Sequence, residues 1–213
     1  MFGDFTLLGA IRIGGPVMYL LIIYSILSAT IIFERFFHYQ KISKALRAPF
    51  MRSIKNEIEK GDIKKAVTIC DQTQSPFSAV AAAGLNASHL DEKEISEAME
   101  RETIIEADKL EKFTAIVGTI GSTAVYVGLL GTVWGIMQAF QDITHLQSGG
   151  INVVIRGVSE ALVCTAAGLF VSIPAVMANN YFIKRINRFV MDMELCASEI
   201  SGLLRGQKKV KHK

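Results

Sequence analysis

Three stretches of the chain carry no charged side chain at all: residues 13–33, 113–141 and 161–183, with 21, 29 and 23 residues. A helix needs about 20 mainly apolar residues to cross the hydrocarbon core of a bilayer, so each stretch is long enough to span. A fourth charge-free run, residues 72–90, is different in kind. It holds Gln72, Gln74, Ser75, Pro76, Ser78, Asn86, Ser88 and His89, its apolar part is short and alanine-rich, and it reads as a helix outside the membrane. A cleaved leader accounts poorly for the first stretch. Only Arg12 leads it, Asp4 offsets that charge, and the apolar run is longer than a leader's.

Between these stretches the spacing is helical. After the first, Ile42, Leu46, Phe50, Ile54 and Ile58 recur about every four residues until Gly61 ends the pattern. Asp62 is placed to cap a short helix through Cys70. Ser75-Pro76 supplies a cap followed by proline at the first helical position, opening a helix to about Ala87. Asp91 with Glu94 forms a capping-box arrangement. No proline follows before the second apolar stretch, so one continuous helix is predicted from Asp91 to Phe140, 50 residues and roughly 75 Å long. A bilayer core takes about 30 Å of that, and the rest projects as a rod. Beyond the third stretch Ile186, Phe189, Val190, Met193, Ala197, Ile200 and Leu204 keep helical spacing, while Lys184, Arg185, Arg188 and Glu194 take other faces. No segment reads as a strand and no repeat is visible. The predicted class is all-α: an integral membrane protein with three transmembrane helices, two of them extended into the cytoplasm, plus a helical cytoplasmic loop.

Composition alone would suit a soluble domain: 213 residues, 50% hydrophobic, with 23 Lys+Arg against 20 Asp+Glu. The segregation of charge excludes that reading, and the distribution of Lys and Arg orients the spans. Segment 1–12 holds one basic residue, Arg12, and segment 142–160 holds one, Arg156, whereas segment 34–112 holds 13 and the tail 184–213 holds eight. Basic residues near span ends mark the cytoplasmic side. The expected order is therefore a periplasmic N-terminus (1–12), a first span (13–33), a cytoplasmic helical loop (34–112), a second span (113–141), a periplasmic loop (142–160), a third span (161–183) and a cytoplasmic helix with a basic tail (184–213). Arg35, Lys41, Lys184 and Arg185 sit where they would anchor lipid headgroups. The same pattern accounts for Lys208, Lys209, Lys211 and Lys213 without nucleic acid.

Signals of soluble-enzyme chemistry are missing: there is no phosphate-binding glycine loop, no nucleophile elbow and no zinc pattern. His38, His89, His145 and His212 are scattered, and the spacing of Cys70, Cys164 and Cys196 suits neither a metal site nor a disulfide framework. No enzymatic role, metal or cofactor is expected. The informative positions lie inside the second and third spans. Gly118, Gly121, Val125, Gly128, Thr132, Gly135 and Ala139 follow alternating steps of three and four, as do Ala161, Thr165, Gly168, Ser172, Ala175 and Asn179. The latter six fall within an arc of roughly 80°. Two readings are open. Small residues let helix backbones approach in lipid, and Gly131-x-x-x-Gly135 is a familiar pattern for that; or the two stripes line a narrow polar cavity, with Thr132, Thr165, Ser172 and Asn179 offering hydroxyl and amide groups. Pro174 is placed to kink the third span. No Asp, Glu, Lys, Arg or His lies well inside any span, although proton relays through membranes usually need a titratable group. Glu160, at the edge of the third, is either an interfacial anchor or part of such a relay, and a proton path would need a carboxylate from another chain.

Gly128-Leu129-Leu130-Gly131-Thr132-Val133-Trp134-Gly135-Ile136-Met137 resembles the second-span signature of the TolQ/ExbB/MotA proton-channel family. Glu160-Ala161-Leu162, Thr165-Ala166, Gly168-Leu169 and Ile173-Pro174-Ala175-Val176 resemble its third-span signature, and Gly61-Asp62, Ala66 and Ser75-Pro76 its loop. Three spans fit the TolQ and ExbB branch rather than the four-span MotA stators. The resemblance implies a homopentamer in the bacterial inner membrane around a single-span ExbD- or TolR-like subunit that supplies the missing aspartate. By similarity Thr132 and Thr165 face that aspartate, Glu160 lies near the proton entrance, and protons are the transported ion. The assembly would use the proton motive force to drive a TonB- or TolA-like protein acting on the outer membrane, for biopolymer or nutrient import or envelope maintenance. Val125, Asn179 and Cys164 depart from the residues common in the family. A non-conducting membrane scaffold, whose stripes only pack helices, is the competing expectation.

Overall fold

The computed structural model describes residues 15–145 and 150–211, with side chains described except at 143–153 and 208–211. The expected N-terminal segment with Arg12 and Asp4, His212, and the side chains of His145 and of the basic end from Lys208 lie outside these. Among the described residues seven α-helices follow one another: α1 Gly15–Ile42, α2 Arg47–Glu59, α3 Ile63–Gln72, α4 Pro76–Asn86, α5 Glu92–Glu111, α6 Thr114–His145 and α7 Gly150–Lys211. No strand occurs among the described residues. Three of the helices, α1, α6 and α7, are long and apolar enough to cross a membrane, which agrees with the all-α, three-span class read from the charge-free stretches. The chain divides into two compact units: an apolar one that takes in α1 as far as Glu34 together with Phe113–Tyr181, and a polar one of Arg35–Lys112 and the chain from Phe182 on.

The cap chemistry sets the short helices. Asp62 accepts a hydrogen bond from the Lys65 amide (3.0 Å) to open α3, and the Lys65 side chain and amide together hold the Asp62 carboxyl below the usual carboxylate range. Ser75 accepts from the Ser78 amide (3.3 Å) ahead of Pro76, and the Asp91 amide donates to Glu94 Oε2 (3.3 Å) at the start of α5. Gly61 has φ +82°, a left-handed conformation natural to glycine, and turns the chain between α2 and α3. In two places the helices differ from the expected periodicity. The pattern through Leu46 is broken: α1 ends at Ile42, and Leu46 is extended backbone ahead of α2, 67% exposed rather than in line with Phe50, Ile54 and Ile58. The continuous helix from Asp91 to Phe140 does not form either. It is divided at Lys112 and Phe113, where Phe113 adopts φ +67°. α7, by contrast, runs for 62 residues through Pro174 without a break.

The polar unit has its own core. Phe50, Met51, Ile54 and Ile58 of α2, Ala66 and Cys70 of α3, Phe77, Val80, Ala81 and Leu85 of α4, and Ile95, Met99 and Leu110 of α5 are buried. The distal part of α7 completes it with Phe182, Ile186, Phe189, Met193, Cys196, Ile200 and Leu204. Glycine at position 84 leaves room for Met99 and Ile200, whose atoms lie 2.5 and 3.3 Å from where a Cβ would stand. The rim is ionic: Arg47 pairs with Glu199 and, at 3.5 Å, with Asp192, and Arg205 pairs with Glu92. The three cysteines are free and buried, and burial pushes the Cys70 thiol up to about 12. Tyr39 ties the end of α1 to this core. Its ring meets Phe182 edge-on (5.5 Å between centroids) and its buried hydroxyl donates to the Leu110 carbonyl at 2.7 Å. Tyr39→Phe keeps the ring and deletes that bond, which should cost about 1 kcal/mol; the expected outcome is a lower thermal unfolding midpoint of the detergent-solubilised protein with unchanged helix content by circular dichroism.

Candidate functional site

In the apolar unit α6 and α7 run antiparallel, and the two small-residue stripes face each other. A Cβ placed on Gly128 would stand 2.8 Å from the Cys164 carbonyl oxygen and 3.1 Å from Gly168 Cα; one placed on Gly168 would stand 2.6 Å from the Ala124 carbonyl oxygen. The contact is backbone on backbone, closer than any side chain permits. It continues one way to Gly135 against Ala161 and the other way to Gly121 against Val176 and Gly118 against the Asn179 amide. Gly131 receives Cys164 from α7 and Val17 from α1. A dry layer of Leu21, Val117, Ile120, Ala124, Val171 and Ala175 joins the three helices. Bulk faces outward: Tyr126, Leu130, Trp134, Phe140, Leu162 and Phe170 are exposed, Phe170 by 78%.

Of the two readings of the stripes, close packing accounts for Gly118, Gly121, Gly128, Gly131, Gly135 and Gly168 within one chain. The hydroxyls are set into that packing. Thr165 Oγ1 donates across the pair to the Gly128 carbonyl (3.2 Å), and buried Ser172 donates to the Gly121 carbonyl. Thr132, also buried, donates within its own helix to the Leu129 carbonyl at 2.6 Å. Each of these hydroxyl hydrogens is thus committed to a carbonyl, and each oxygen keeps lone pairs for a further donor. Pro174 lies on the exposed side of α7 and Asn179 is half-buried over Gly118. Glu160 stands one helical turn from Arg156 and pairs with it, Oε1 to Nε at 2.8 Å.

The basic residues expected at headgroups divide. Lys41 and Lys184 are exposed, whereas Arg35 is only 6% exposed and Arg185 turns inward to bond the Ser43 hydroxyl, its guanidinium 5.5 Å from the centre of the Phe189 ring. Two contacts were not read from the sequence. Gly157 meets Ala139 closely, because α7 begins at Gly150 and not at the edge of the charge-free stretch. Cys164, taken as a small apolar residue, is the side chain that fills the space over Gly131. The step of seven from Gly157 to Cys164 and on to Val171 is the signal that would have extended the stripe.

A pair of apolar helices locked through glycine, joined by a third and carrying hydroxyls but no charge between them, defines a helical multi-pass membrane protein. The sequence profile of the MotA/TolQ/ExbB proton channel family matches residues 72–195, more than half of the chain, and the chain belongs to that family. Among its relatives, the Tol-Pal system protein TolQ of Pseudomonas aeruginosa is 42% identical over 99 residues, 46% of this chain and 43% of that protein. The Tol-Pal system protein TolQ of Haemophilus influenzae is 39% identical over 102 residues, 48% of this chain and 45% of its own length. This chain therefore spans less than half the length of those two relatives. The Biopolymer transport protein ExbB of Salmonella typhimurium is 31% identical over 175 residues, 71% of this chain and 72% of the relative.

The contact at Gly168 is testable by adding one carbon. Gly168→Ala places a methyl against a carbonyl oxygen and the Gly128 backbone, neither of which can rotate away, and the yield of correctly assembled protein in mild detergent should fall severalfold. Gly206→Ala is the counterpart: a Cβ there meets nothing within 4 Å, and replacing a helical glycine should leave stability unchanged or raise it by about 0.5–1 kcal/mol.

Proposed function

We propose that this chain is the proton-channel subunit of an inner-membrane motor of the ExbB–ExbD or TolQ–TolR type, which uses the proton motive force to energise a TonB- or TolA-like protein acting on the outer membrane. Relatives named for the Tol-Pal system and for biopolymer transport support this reading. In it several copies of the chain, five by family resemblance, surround the helices of a single-span ExbD- or TolR-like subunit. The N-terminus and the 142–160 segment lie on the periplasmic side, and the polar unit lies in the cytoplasm, following the excess of Lys and Arg.

The observation that carries the reading is the bond from Thr165 to the Gly128 carbonyl, in a pair of spans with no Asp, Glu, Lys, Arg or His. The glycine contact closes the space between α6 and α7, so protons do not pass between these two helices of one chain. They pass where the pair meets a carboxylate of the partner subunit. With its hydrogen committed to Gly128, the Thr165 oxygen accepts a hydrogen bond from a protonated carboxyl. It offers a donor to a carboxylate only when the hydroxyl turns away from Gly128. Hydrogen bonding to the neutral form raises an acid's pKa and hydrogen bonding to the charged form lowers it. One hydroxyl rotor therefore distinguishes the two states of the partner's carboxyl, and Thr132 one turn from Gly128 is placed to do the same. Glu160, held by Arg156, stands at the periplasmic end as the first carboxylate on the path.

The close packing of the stripes also favours the scaffold reading, in which no ion moves, and one isosteric pair separates the two. Thr165→Val removes the hydroxyl and keeps the shape; Thr165→Ser keeps the hydroxyl. In vesicles holding this chain with its single-span partner, Thr165→Val should lower proton flux about tenfold or more, the worth of one hydrogen bond to a charged group, with complex size unchanged and Thr165→Ser conducting. Equal flux in Thr165→Val and the parent would leave the scaffold.

A further inference from the structure

The core of the polar unit gathers sulfur from three helices. Cys196 of α7 meets both α2 and α4: its Sγ lies 3.3 Å from Met51 Sδ and 3.5 Å from the Phe77 carbonyl oxygen. Cys70 of α3 is the third sulfur. Burial first, and the neighbouring Cys70 next, push the Cys196 thiol up to about 12. Both thiols are free and buried, and Met51 is buried with them. The core they share is apolar, with Phe50, Ile54, Phe77 and Val80 all buried. Each end of the set borders a cavity through which an ion can approach: Met51 lines a groove of about 430 Å³ between α2 and α7, and Cys70 lines one of about 1050 Å³. Spacing along the chain marked no metal site among the cysteines. The fold brings two of the three into one core and adds a methionine, which a count of cysteines omits.

We propose that Cys196, Met51 and Cys70 form a site for a soft monovalent cation, Cu(I). Thiolate and thioether sulfurs select soft metals, and charge chooses among them. An isolated thiolate in an apolar core is costly, whereas one thiolate beside one monovalent cation is neutral. Binding therefore releases one proton. The Cys196 thiol gives up its hydrogen to water, Cu(I) takes its place on the sulfur, and neither metal nor sulfur changes oxidation state. Met51 and Cys70 complete the ligation as neutral thioether and thiol donors. Zinc in a structural site takes a full tetrahedral set of Cys and His, and among the described residues no three His, Cys, Asp or Glu side chains are grouped to hold a metal. The inference concerns the polar unit alone and does not depend on proton conduction, so it stands or falls separately from the channel reading.

The test adds Cu(I), as its acetonitrile complex, to the full chain in mild detergent without oxygen, with bathocuproine disulfonate as a competing chelator, and reads bound metal by native mass spectrometry. The expected result is a single copper on each chain, at a mass gain of one copper less one hydrogen. Met51→Leu keeps the volume of the side chain and removes a ligand, and it should weaken binding about tenfold or more. Cys196→Ser should abolish it. Met191→Leu, at an exposed methionine, and Cys164→Ser, at the cysteine of the other unit, should bind as the parent does. Met51→Leu carries the test by itself if Cys196→Ser does not fold. No adduct in the parent, equal binding in Met51→Leu and the parent, or loss of the copper in Cys164→Ser would overturn the proposal, as would Zn(II) displacing Cu(I) at equal concentration.

Discussion

The approach of two backbones at Gly128 and Gly168 is the constraint from which the apolar unit follows. In lipid there is no hydrophobic gain in bringing two apolar helices together, so association draws on dispersion and on interhelical hydrogen bonds. Dispersion falls steeply with distance, and only residues without side chains let the helix surfaces meet over a long seam. The glycines of α6 therefore face backbone, alanine or glycine of α7, and where larger side chains enter the seam, at Cys164, Val176 and Asn179, they lie over glycines. Volume taken from the seam reappears on the outside, where Trp134, Phe140 and Phe170 are exposed.

The same closeness explains the placing of the hydroxyls. A serine or threonine reaches a carbonyl on the neighbouring helix only if the axes are near, and Thr165 and Ser172 both do so, each at a glycine. The seam is thus dry and satisfied, with no unpaired charge to stabilise. The polar unit solves a different problem: it buries Phe, Met, Ile and Leu in the manner of a soluble bundle and holds its edge with Arg47 and Arg205.

Much of this was legible in the residues. Charge-free length locates the spans because a bilayer enforces it, and caps at Asp62, Ser75 and Asp91 locate helix starts because the first amides need acceptors. The stripes were legible as stripes. That they close on each other was not, since a 100° period gives a face but no partner or register. The division at Phe113 was hidden for a related reason. Local propensity contains no signal for a left-handed phenylalanine, a conformation that costs about 1–2 kcal/mol, and Glu-Lys-Phe-Thr reads as ordinary helix. Leu46 misled because periodicity alone cannot separate one helix from two that happen to be in phase. That Arg35 is buried was not legible, because a basic residue just past a span reads as solvated and burial is set by residues distant in sequence.

The Thr165 bond contributes little to the fold, and that is why its chemistry matters. In a helix the Gly128 carbonyl already accepts the amide of the residue four positions on, so the hydroxyl supplies a second bond to an oxygen that is not otherwise orphaned. Such interhelical bonds in membranes average about 0.6 kcal/mol, and the glycine contact beneath it would hold the pair without help. A small apolar residue would pack as well: Cys164, one position before, does so against Gly131. Packing therefore accounts for the size of the residue at 165 but not for its oxygen. What the oxygen adds is a donor that can be returned to its own protein or lent to a ligand, at a position where the return partner is held by the close contact of Gly128 with Gly168. A rotor of that kind is of use where a neighbouring group changes between wanting a donor and wanting an acceptor, and a carboxyl gaining and losing a proton is the simplest group that does.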